Sequence, residues 1–110
     1  MALNVEALAS QMLGAALPIL KKGADDAEAF AKTEFTKIAQ TIVAIGEQVA
    51  AGQINEKQAA LLLDMQTSAS RNVLLTLEGL ALLAVEAAIN AALDVVKGAV
   101  NGALGFALIA

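Results

Sequence analysis

Residues 72–104 read NVLLTLEGLALLAVEAAINAALDVVKGAVNGAL, and the fold turns on how this run is folded. It carries Glu78, Glu86, Asp94 and Lys97 as its only charges, has no proline, and is mostly Ala, Leu and Val. Ala and Leu favour helix, and the first strong turn signal is the glycines near its end. At about 100° per residue the run sorts into three faces. A polar stripe takes Asn72, Thr76, Gly79, Glu86, Asn90, Asp94, Lys97 and Asn101. A large aliphatic face takes Leu75, Leu82, Val85, Ile89, Val96 and Val100. A row of small residues, spaced four and three, takes Leu77, Ala81, Ala84, Ala88, Ala91, Val95, Gly98 and Gly102. Only the stripe suits water, so the helix needs a neighbour on each of two sides. The small row admits a close backbone approach, and the aliphatic face needs an ordinary side-chain interface.

Upstream, two more helices are expected. Residues 3–22 present Leu3, Leu8, Met12, Ala15, Ala16, Ile19 and Leu20 on one side. Pro18 within them clashes with the carbonyl of Gly14, so a kink is expected there. Lys21, Lys22 and Gly23 end that helix. Asp25 with Glu28 makes a capping pair for a second helix over 25–51. Its seam of Ala31, Phe35, Ile38, Ile42, Ile45 and Val49 repeats at four and three, the pattern of a helix laid along another helix. Glu28 and Lys32 form a supporting pair at four-residue spacing. Gly52 stops the second helix, and Asn55 with Gln58 caps the third, leaving room only for a reversal.

The third helix is expected to run unbroken over 56–104, roughly 70 Å. The rival arrangement breaks it at QTSASRN, residues 66–72, because Ser, Thr and Asn compete for backbone hydrogen bonds. The reading is therefore all-α: an antiparallel hairpin or bundle of three long helices in one domain, the first kinked at Pro18, completed by oligomerisation. The tail NGALGFALIA frays at its glycines, and its apolar residues dock.

Composition points the same way. The chain has 110 residues, 58% of them hydrophobic. With glycine the apolar fraction is roughly 65%, against about 45–50% in ordinary globular domains. A small chain hides such a surface poorly, which implies a partner or a lipid phase. The expected partner is a second copy, in a dimer or tetramer joined along the small row from Leu77 to Gly102. Gly98 and Gly102 form a Gly-x-x-x-Gly pair within that row.

Charge and residue types exclude other functions. A net charge of −4 disfavours nucleic acid and anionic membrane surfaces. Three phenylalanines, with no Trp or Tyr, give little base-stacking platform. The chain has no His, Cys or Tyr, so the common general bases, thiol nucleophiles and transition-metal ligands are missing. Ser10, Ser68 and Ser70 have no histidine to activate them. Glu86, Asn90 and Asp94 share a face with the oxygen ligands a hard cation takes, but without Glu-x-x-His spacing they read as a solvated edge tied by an Asp94–Lys97 pair. Arg71, near Asp64 and Glu78 in phase, reads as a surface ion pair. No catalysis, cofactor or metal is expected.

The N-terminal stretch lacks the basic start of a signal peptide, which favours the cytoplasm. Charges between Glu78 and Lys97 interrupt any apolar span. The function expected is a non-enzymatic structural subunit that self-associates through its last helix. The alternative is a lipid-surface-active protein that inserts that helix, with membrane contact second to self-contact.

Overall fold

The computed structural model describes residues 3–21 and 27–110. Among them the chain forms four α-helices and no strand: α1 (Val5–Lys21), α2 (Ala27–Ala50), α3 (Glu56–Leu74) and α4 (Leu82–Leu104). The class is all-α, as expected. The helix expected over 56–104 is instead two helices, and the arrangement of three long helices is corrected to four.

The interruption does not fall at QTSASRN. α3 passes through that run because its polar side chains find partners. The Thr67 hydroxyl donates to the Asp64 carbonyl at 3.1 Å. The Gln66 amide donates to Ser70 Oγ at 3.2 Å and accepts from the Thr41 hydroxyl of α2 at 3.3 Å. These bonds satisfy groups that would otherwise compete with the helix, and they place a small polar network at the α2–α3 contact.

The chain breaks at 75–81. The amides of Thr76, Leu77 and Leu80 donate to carbonyls three residues back, and the Thr76 hydroxyl donates to Val73 at 2.6 Å. Gly79 has φ 93°, in the left-handed region. The turn is apolar: Leu77 and Leu80 are buried in it. It returns α4 onto α1, within a molecule only 42 Å long. An unbroken helix would overshoot that length and leave half its apolar faces bare. Gly79→Val is expected to cost about 1–3 kcal/mol, because a β-branched residue resists positive φ. Urea unfolding reads this directly, and an unchanged midpoint would show that the turn tolerates another geometry.

Each helix follows from its sequence. Asn4 caps α1, its Oδ1 accepting the Ala7 amide at 3.0 Å. Leu8, Met12, Ala16 and Leu20 form the buried face, and Pro18 lies on the exposed side. In α2 the expected seam is buried from Ala31 to Ile45, with Val49 half-buried. Gly52, at φ 71°, ends the helix, with its own amide bonded to Val49 and that of Gln53 to Gln48. Asn55 and Gln58 form the expected reciprocal capping box at 2.8 and 2.9 Å. The capping pair at Asp25 and the stop at Lys22–Gly23 lie outside the described residues.

α1 packs extensively on both α4 and α2, α2 packs also on α3, and α3 meets α4 only lightly. The four helices share one hydrophobic cluster that contains Met12, Phe35, Ile42, Leu74, Val85 and Val96. Among the described residues the ion pairs are Lys21–Glu28 at 3.3 Å and Lys37–Glu34 at 3.2 Å. Glu28 thus joins α2 to the end of α1 rather than pairing with Lys32. Neither the Asp94–Lys97 pair nor a pair at Arg71 forms.

Gly105, at φ 80°, ends α4, and its amide donates to Asn101. Residues 105–110 then fold back as a hook. Asn101 holds it with both ends of its amide: Nδ2 donates to the Ile109 carbonyl at 2.9 Å, and Oδ1 accepts the Ile109 amide at 3.0 Å. Leu108 and Ile109 are buried. Asn101, expected on the solvated stripe, is half-buried and fully engaged.

Candidate functional site

The break at 75–81 divides the eight-residue seam. Leu77 is buried in the turn, and Ala81 is the N-cap of α4, so neither belongs to the α4 face. The remaining six stay in phase along α4. Ala88 is fully buried against the rest of the chain. Ala84 and Ala91 are half-buried, and Val95, Gly98 and Gly102 are exposed. A methyl group placed on Gly98 or Gly102 would have no neighbouring atom within 4 Å. Among the described residues, then, the inner edge of the row packs and its outer edge is open.

That outer edge is uncharged. Ala87, Ala91, Val95, Gly98 and Gly102 succeed one another along it, and Val95 is 50% exposed. At the start of α4, on other faces of the helix, Leu83 is 80% exposed and Leu82 also stands out. The first turn of α4 has no acidic residue and no side-chain cap. The strip is therefore apolar, shallow and open. It suits a close-lying backbone better than a small polar ligand.

The polar stripe has a different setting from the one expected. Asn90 and Asp94 do not simply face bulk water; with Leu93 they line one wall of a cleft of about 470 Å³. Ala60, Leu63, Asp64 and Thr67 of α3 form the facing wall, and Leu108 to Ala110 of the hook close it. A smaller niche adjoins at Asn90, lined also by Arg71, Glu86 and Ile89. Glu86, Asn90 and Asp94 thus share this side with Asp64 and Arg71. The cleft exists because α3 and α4 barely touch. Among the described residues no three acidic side chains gather closely enough to hold a metal ion.

A second apolar surface was not anticipated from the sequence. Leu61 and Leu62 are exposed on α3, and Met65 is 60% exposed. Leu62 and Met65 border a groove shared with Thr41, Ala44 and Gln48 of α2. Three successive leucines, 61 to 63, span about 200° of a helix, so one neighbour cannot cover them all. Only Leu63 is buried. That arc is the signal that sequence reading offered.

Among the described residues no helix is long and apolar enough to cross a membrane. No family model matches the chain, and no curated protein or solved structure matches it.

Proposed function

We propose that the protein is a non-enzymatic structural subunit that associates with copies of itself through the outer edge of the α4 small-residue row. The observation behind this reading is the open strip from Ala84 to Gly102, where a methyl group on Gly98 or Gly102 would meet no atom of the described residues within 4 Å. Alanine and glycine at spacings of four and three let a second helix backbone lie close, with dispersion contacts along several turns. A two-fold arrangement would set the strip against itself and shelter Val95, giving a dimer, or a tetramer if the α3 patch also pairs. A kink of α1 at Pro18, where the proline ring crowds the Gly14 carbonyl, belongs to the same reading. No cofactor, metal or catalytic step enters.

Size-exclusion chromatography with light scattering tests this at micromolar concentration without detergent. The native chain is expected to run as a dimer or tetramer. Gly98→Leu is expected to keep the helical signal and stability of the protomer, since the site is open, while weakening assembly by tenfold or more, about 1.4 kcal/mol. A native chain that runs as a monomer ends the reading.

The second reading is a helix that lies on lipid. The exposed Leu82 and Leu83 at the uncharged start of α4 favour it, and the acidic balance opposes it. Flotation with liposomes at neutral and acidic pH decides: protein absent from the lipid fraction at both removes it.

A further inference from the structure

The hook closes a gap that the helices leave open. α3 has one extensive partner, α2, and meets α4 lightly. Its buried side is weakly apolar: Ala59, Leu63, Thr67, Ser70 and Leu74, of which only two are large and hydrophobic. Part of its contact with α2 is the Thr41–Gln66–Ser70 network. The hook supplies what α4 does not. Leu108 and Ile109 are buried where they share the cleft with Ala60 and Leu63 of α3 and Leu93 of α4. The polar anchor of that attachment is the Asn101 side chain, through its two bonds to Ile109. Gly105 at φ 80° supplies the pivot.

We propose that residues 105–110 are a releasable strap that holds α3 to α4. Docked, the strap closes one end of the cleft between the two helices. Released, it leaves α3 attached to α2 alone and opens the α3–α4 cleft toward Leu63 and Leu93. α1, α2 and α4 keep their mutual packing in both states. Local opening of this kind belongs to the least-supported element of a fold. The proposal holds whether or not copies associate through α4.

Amide hydrogen exchange on the full chain, read by mass spectrometry, tests it. Asn101→Ala removes both bonds to Ile109. Amides of α3 are expected to exchange about tenfold faster or more, because the strap then lacks its polar anchor. Amides of α1 and α2 in the shared core are expected to keep their rates. Leu108→Ala retains the Asn101 bonds and is expected to show the same selective change to a smaller degree. Acceleration confined to residues 102–110 overturns the proposal, since the hook would then cap only its own helix. So does equal acceleration in all four helices, or loss of folding in both variants, since the hook would then belong to a single cooperative core.

Discussion

Phe35→Ala is expected to lower the free energy of unfolding by about 3–5 kcal/mol. Phe35 is the largest of the fully buried side chains, at 0% exposure, in the middle of the α2 seam. Ala31 and Ile38 along that seam, and Ala39 beside it, are equally buried, so the vacated space borders side chains that do not reach solvent. Two of them are alanines, too short to refill it, and a cavity term adds to the lost transfer energy. Phe30 supplies the control. It lies on the same helix but is 45% exposed, and Phe30→Ala is expected to cost less than about 1 kcal/mol. Urea unfolding of the two variants at an unchanged slope gives the comparison. Equal costs at the two positions would mean that α2 is rolled about its axis from the orientation described here.

Pro18→Ala is expected to act in the other direction, raising stability by about 1–3 kcal/mol. Pro18 lies within α1, with Gly14 four residues before it inside the same helix. The proline ring has no N–H to give the Gly14 carbonyl, and alanine restores that bond. Pro18 is on the exposed side, so the change removes no buried contact. The expected result is a higher urea midpoint with more helical signal. A lower midpoint would show that the bend expected at Pro18 is what seats Leu20 and Ala16 against α4.

The stop of α2 and the start of α3 are legible because each has a local cause. Asn55 and Gln58 satisfy one another's backbone, and Gly52 adopts the left-handed geometry its position needs. The α2 seam was legible because its period matches one buried face. The break at 75–81 was not. Its one signal is Gly79, which fell in phase with the polar stripe and was absorbed into it. The turn buries Leu77 and Leu80, its exposed Thr76, Glu78 and Gly79 are too few to mark a polar linker, and the apolar pattern resumes on the far side. What decides the break is tertiary: α1 offers α4 a surface that no local window contains. The seam shared that fate. Its members from Ala84 onward lie on one helix, whereas Leu77 and Ala81 share their phase only if it is extended through a turn. Asn101 was read as solvated because its partner, Ile109, becomes its neighbour only after Gly105 reverses the chain.

The pairing of α1 with α4 bears on how the chain is made. α2 and α3 are neighbours joined by a short reversal and can form as soon as they emerge. α1 must wait for its other partner until about 60 further residues have been synthesised, a delay of several seconds at ordinary elongation rates. During that interval Met12, Ala16 and Leu20 have α2 on one side and nothing on the other. The nascent chain thus passes through a stage with an apolar flank uncovered, and closing it requires a long loop to be drawn together late. The last helix to appear completes the environment of the first.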